Sequence, residues 1–132
     1  MKNILFSKRP IATDLSLLIL RLIAGIGIMT HGWPKFQKAI SGNFQFADPI
    51  GLGSELSLIL VVFAEFICGI LVVLGLGTRF AAIILIINMS IIFFIVHAAD
   101  AFGSKEKAFL FLGAFIVLLL TGPGKYSIDD KI

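Results

Sequence analysis

Long apolar runs separated by short polar stretches dominate this chain. The clearest, LSLILVVFAEFICGILVVLGL at Leu56–Leu76, carries a single ionisable residue, Glu65, near its middle. Four runs stand out in all, with approximate spans Asp14–Thr30, Glu55–Leu76, Arg79–Ala98 and Glu106–Thr121. Each is close to the roughly 17–25 residues a helix needs to cross hydrocarbon. In lipid, a helix satisfies every backbone polar group within an isolated span, whereas a β-barrel would show shorter alternating segments that this chain lacks. The pattern predicts one all-α domain over residues 1–132, a polytopic membrane protein. Its architecture is a four-transmembrane-helix antiparallel bundle, with an interfacial segment between helices 1 and 2.

The runs are not equally robust. With roughly −0.3 to −0.6 kcal/mol for each strong apolar residue and about +3 kcal/mol for a central charge, the second run inserts favourably despite Glu65. The first run carries Arg21, Gly25 and Gly27, comes out near marginal, and depends on a neighbour. The connection His31–Ser54 is long for a helix–helix link. It mixes Trp33, Pro34, Phe36, Phe44 and Phe46 with basic residues, which suits a segment lying in the membrane interface, either as a lid or as a passive anchor. The link around Gly75–Gly77–Thr78 is tight and forces antiparallel neighbours. The tail TGPGKYSIDDKI stops the last helix with Gly and Pro.

Composition supports the membrane reading. The chain is 58% hydrophobic and 14% charged, with a mean hydropathy of +1.05. A soluble domain of 132 residues could not cover such a core with polar surface. The net charge of +3 comes from basic residues falling singly between apolar runs, which is no nucleic-acid signature. The basic N-terminus superficially resembles a secretory signal, but Arg21 interrupts the apolar stretch and no small-x-small site follows, so it reads as a retained first helix. Lys2, Lys8, Arg9, Arg79, Lys125 and Lys131 on one side outweigh Lys35, Lys38, Lys105 and Lys107 on the other, which predicts cytoplasmic termini. One cysteine, Cys68, offers no disulfide, redox pair or thiolate metal site; it reads as a small packing residue.

An intramembrane carboxylate is by default a functional-site hypothesis. Counted from His31 and Ser54 at 1.5 Å per residue, Arg21 and Glu65 both fall about 15 Å deep. Gly25 and Gly69 lie one turn from each charge on the same face and allow close helix approach. The expectation is therefore a guanidinium–carboxylate fork between helices 1 and 2. Such a pair either locks two helices together or forms a polar patch that binds a head group such as a quinone carbonyl, or relays protons. His31, Lys35, His97, Asp100 and Glu106 collect at the outer rim. Two histidines and a carboxylate resemble a metal-ligand inventory, and two facing histidines a haem one, but the spacings match no ligand motif. Histidines at the interface capping helix ends are the commoner case. Asn88, nine residues before His97, falls on the opposite face of a regular helix, whereas Ser90 and Phe93 extend the His97 wall.

The ordered set Arg21, His31-Gly32 with Lys35, Glu65 with Gly69, Gly77-Thr78-Arg79, Met89, His97, Glu106, Gly122-Pro123-Gly124 and Tyr126-Ser127 resembles the DoxX family over essentially the whole chain. The resemblance implies a four-helix protein of the bacterial cytoplasmic membrane. It also implies relatives that are subunits of a thiosulfate:quinone oxidoreductase or are linked to oxidative stress and to quinone and catechol detoxification. Arg21, His31, Lys35, Glu65, Arg79, His97 and Glu106 match the motif positions. They are expected to form the site, with Arg21, Glu65, His31 and His97 in chemistry and Arg21, Glu65, Lys35 and Glu106 around a quinone.

Three functions follow as alternatives. In the first, the chain is a subunit of, or accessory to, a quinone-linked membrane oxidoreductase. With no dinucleotide motif and no cysteine pair, its electrons come from a partner redox protein or a bound small reductant. In the second it is a small proton-coupled transporter, although Arg21 would hold Glu65 ionised and oppose free cycling. In the third it is a scaffold that recruits soluble redox enzymes. The partners expected are the lipid bilayer and such a redox protein; a homo-oligomer is left open.

Overall fold

The computed structural model describes residues 3–132, and Lys2, one of the charges counted for orientation, lies outside them. Every regular element among the described residues is helical, with no strand. Four long helices make the fold: α1 (Thr13–Ile40), α2 (Ser54–Leu74), α3 (Thr78–Val96) and α4 (Phe102–Thr121). Single 3₁₀ turns lie at Ile4–Phe6 and Asp129–Lys131.

Three of the expected spans keep their place within a few residues. The first does not: α1 runs through Thr30 and Pro34 to Ile40. A proline inside a helix removes one hydrogen bond and clashes with the preceding turn. Here tertiary contacts hold that turn: Trp33 and Phe36 pack on Phe66 of α2, the two phenyl rings stacking at 4.8 Å. The helix stops at a glycine. Gly42 takes φ 81°, its N–H donates to Ala39 O, and the Asn43 N–H reaches back to Lys38 O. That is the Schellman arrangement, which satisfies the last orphan carbonyls. The interfacial segment expected over His31–Ser54 therefore shrinks to the stretch between α1 and α2. The same device closes α2 at Gly75, with φ 68° and a Leu76 N–H bonded to Leu71 O, so α3 starts only a few residues later.

Small residues set the helix spacing. A Cβ on Gly25 would come within 2.6 Å of Val73, and one on Gly69 within 2.7 Å of Met29, so α1 and α2 touch through these two glycines as expected. Ala24, Ala64, Ala81, Ala82 and Ala108 line the core around Leu85, Phe115 and Leu118. Outside it, Ile19, Ile23, Ile83, Ile87, Leu110 and Leu120 stand exposed, an apolar surface that fits lipid rather than water. Helices α1, α2 and α3 are long and apolar enough to cross a membrane. Helix α4 begins at Phe102 rather than Glu106 and carries Lys105, Glu106 and Lys107 near its start, which leaves an apolar stretch of about 21 Å.

Candidate functional site

The expected Arg21–Glu65 fork does not form. Residue contacts fix the register of α1 on α2: Gly32 packs against the backbone of Glu65 and Phe66, while Arg21 packs against Gly75. The two charges are thus about 16 Å apart along the helices. The depth count failed because it began at His31, whereas the helix continues to Ile40. From the true ends, Arg21 lies about 28 Å in and Glu65 about 16 Å.

Arg21 sits at one end of the bundle, fully buried. Its guanidinium donates to the carbonyl of Val73 at 3.4 Å and to that of Tyr126, while its Nε has no partner. The C-terminal segment folds over it. The Asp129 carboxylate accepts the N–H groups of Gly77 and Thr78 at 2.8 and 3.0 Å, capping α3. Burial pushes the Asp129 carboxyl up, but those backbone donors and the nearby Arg21 charge outweigh it and hold the group below the usual carboxylate range. Lys125 N–H donates to Asp14, and Arg79 Nε donates to Leu119 O at 3.1 Å. Arg79, also matched by the family resemblance, belongs to this closed end and not to a site with Glu65.

Glu65 sits at the other, open end, and its environment is built by a change of helical pitch. Phe63–Ile67 form a π turn with Glu65 at its centre. Such single-turn bulges recur at functional sites because the extra residue re-aims a side chain. The carboxylate is 1% exposed and both oxygens are engaged: Lys35 Nζ donates to Oε1 at 2.6 Å, and Asn88 Nδ2 to Oε2 at 2.9 Å. Residues from α1, α2 and α3 meet in this triad.

The triad walls a cavity of about 660 Å³. Apolar side chains such as Ile28, Leu60, Ala64, Ile84, Met89 and Phe111 make its body, and His31, His97, Ser104 and Lys107 add polar groups. The volume is within the usual range for small-molecule sites, as is a mostly apolar wall with a few convergent polar groups. His31 packs edge-on against Phe111 at 5.9 Å. His97 Nδ1 is 2.7 Å from the Asp100 carboxylate. Phe46, Ala47, Pro49, Ile50 and Leu52 of the α1–α2 connection, the segment expected as either a lid or a passive anchor, form part of the wall. Asp48 pins it by accepting from Leu52 N–H and the Ser57 hydroxyl.

Of the expected site residues, His31, Lys35, Glu65 and His97 come together here, and Arg21 does not. Glu106 is exposed and lies outside the cavity wall, since the lining face of α4 runs through Ser104, Lys107, Ala108 and Phe111. Asn88, placed on the opposite face from His97 by regular helix geometry, lines the cavity with it. The reason is a second π turn at Ile92–Val96. One extra residue per bulge makes nine residues turn like eight, so the two side chains end about 80° apart rather than 180°. Lys107 and Ser104 were missed altogether; their one signal was spacing on the Ala108–Phe111 face. Among the described residues, no three His, Cys, Asp or Glu side chains gather as a metal site would require.

A small helical membrane protein with a charged triad facing an apolar cavity is the class these features define. Residues 16–98 match the DoxX family model, and the chain belongs to the DoxX family. It is 33% identical over 120 residues to a Bacillus subtilis (strain 168) protein named "Putative oxidoreductase CatD", covering 90% of this chain and 88% of that protein. It is 31% identical over 120 residues to the Escherichia coli (strain K12) "Inner membrane protein YqjF", covering 88% and 91%. A second protein of that strain, "Inner membrane protein YphA", is 31% identical over 130 residues, covering 91% and 92%. No solved structure matches the chain.

Proposed function

We propose that this DoxX protein binds a quinone head group in the open-end cavity and works as a subunit of, or accessory to, a membrane oxidoreductase. In this reading all four helices cross the bacterial cytoplasmic membrane as an antiparallel bundle, with both termini cytoplasmic. Electrons come from a partner redox protein or a bound small reductant. The observation that carries the proposal is the cavity itself: about 660 Å³, mostly apolar, with the Lys35–Glu65–Asn88 triad and His31 among the polar groups that line it. The oxidoreductase name of the Bacillus subtilis relative supports it.

The residues divide the work by chemistry. A bound quinone supplies a carrier of two electrons and two protons. Lys35 uses one of its three N–H groups on Glu65 and keeps the others for a carbonyl oxygen of the ligand. Glu65, with both oxygens occupied, acts as a positioning residue that fixes the Lys35 ammonium and the Asn88 amide. His31, half-buried in the wall, holds a titratable ring where protons must enter from the open end.

The test is equilibrium binding of naphthoquinone to the full chain purified in a neutral detergent, comparing wild type with Glu65→Gln. Tight binding by the wild type and a loss of about tenfold or more in the variant, still folded by circular dichroism, is the expected result. Equal affinity in both would remove the triad from the site.

A further inference from the structure

Two lysines and one carboxylate line the cavity, and only one of the two lysines meets that carboxylate. Glu65 is the only carboxylate in the wall, and both of its oxygens are taken by Lys35 and Asn88. His97 faces Asp100, and Asp48 is occupied by Leu52 N–H and the Ser57 hydroxyl. Lys105 lies over the Phe93 ring at 4.8 Å, directed away from the cavity wall, which does not include it. Lys107 alone lines the cavity as a cation with no ion pair among the described residues. The Ser104 hydroxyl stands one turn before it on the same face of α4, and Ala108 and Phe111 continue that face as apolar wall. Lys107 and Ser104 are themselves exposed, so the ammonium favours a negative charge in a ligand whose apolar ring, once seated in the cavity, excludes water from the pair.

We propose that the cavity selects lipophilic anions, namely ring ligands bearing an ionised hydroxyl, and that Lys107 is the residue that binds the charged oxygen. The inference rests on the quinone-site reading above and adds the charge state of the ligand to it. Apolar walls take the ring, Lys35 meets a neutral carbonyl, and the Lys107 ammonium with the Ser104 hydroxyl meets the oxyanion. The competing role for Lys107 is that of a lysine reaching toward lipid head groups from near a helix end.

The experiment compares two probes on the purified full chain at neutral pH. One is a hydroxynaphthoquinone whose enol is ionised; the other is the parent naphthoquinone without the hydroxyl. Binding is read by isothermal titration calorimetry in neutral detergent, and the ratio of affinities is compared between wild type, Lys107→Gln and Lys107→Arg, so that partition into micelles cancels. Wild type is expected to favour the anion about tenfold, Lys107→Gln to lose that preference while still binding the neutral probe, and Lys107→Arg to keep it. No preference in the wild type, or a preference that survives Lys107→Gln, overturns the assignment and leaves the quinone pocket standing. Failure of both probes to bind wild type overturns the pocket and the inference together.

Discussion

The two ends of this bundle spend their charges differently. At the closed end, Arg21 is fully buried and gives its hydrogen bonds to main-chain carbonyls, and Asp129 gives its oxygens to main-chain N–H groups. The partners are backbone, and what the charges fix is where the C-terminal segment lies against the α2–α3 turn. At the open end, Glu65 is as deeply buried, but its partners are the side chains of Lys35 and Asn88, and the group they form faces a cavity. Burial is therefore the same at the two ends, and the partners are what differ. One network is closed over by the C-terminal segment, and the other borders a cavity.

Substitutions at the two ends should separate stability from binding. The largest effect is expected for Arg21→Met, which leaves the Val73 and Tyr126 carbonyls without their cation and Asp129 without its nearby charge. A loss of about 3 kcal/mol or more in unfolding free energy is expected, in line with breaking a buried charged network. Chemical unfolding in detergent measures it, and the surviving folded fraction should bind naphthoquinone as wild type does. A folded Arg21→Met protein with normal stability but no binding would reverse the assignment of the two ends.

Gly32→Ala comes next and sharpens the boundary. A Cβ there would lie 2.8 Å from the Glu65 carbonyl carbon and the Phe66 nitrogen, both backbone atoms that cannot rotate away. Overpacking of this kind costs about 1–3 kcal/mol, and here it pushes directly on the π turn that aims Glu65. Both the melting temperature and quinone affinity should fall. Asn88→Ala removes one donor to a buried carboxylate and should cost about 2 kcal/mol of stability, with a loss in binding as well because the carboxylate is freed to turn. Intact binding in that variant would mean that the amide does no positioning.

The smallest expected effect is one of pH. The Asp129 carboxyl titrates below its ordinary value when folded, so its cap is complete above about pH 4 and fades as pH falls through the lower folded value. Wild type should lose stability over that acid window relative to Asp129→Asn, which does not titrate there. Parallel acid-dependent melting curves for the two proteins would show that the cap is not linked to folding.

Much of this arrangement was legible in the residues, and the failures have identifiable physical causes. The apolar runs located α2 and α3 to within a few residues, and Gly25 and Gly69 marked a close contact between α1 and α2. Glu65 was singled out by its cost in hydrocarbon. Its partner was misjudged because the first apolar run was ended at Thr30, whereas the stacking of Trp33 and Phe36 on Phe66 accompanies a helix that continues through Pro34 to Ile40. The stop signal at Gly42 was present, but it lay one helical segment beyond the proline. With α1 cut short, Arg21 rose to the depth of Glu65 and Lys35 was left in a loop. Asn88 was lost for a different reason: no residue type announces a π turn, and a period of 3.6 carried through Ile92–Val96 puts it on the wrong face.

Covalent mapping with an azido-naphthoquinone, followed by mass spectrometry of the labelled peptides, tests the division most directly. Adducts are expected on segments that line the open end, residues 60–65, 84–97 and 104–111, with labelling suppressed by unmodified quinone and weakened in Glu65→Gln. Competable labelling concentrated instead around Arg21, Gly75 and Tyr126 would contradict the account.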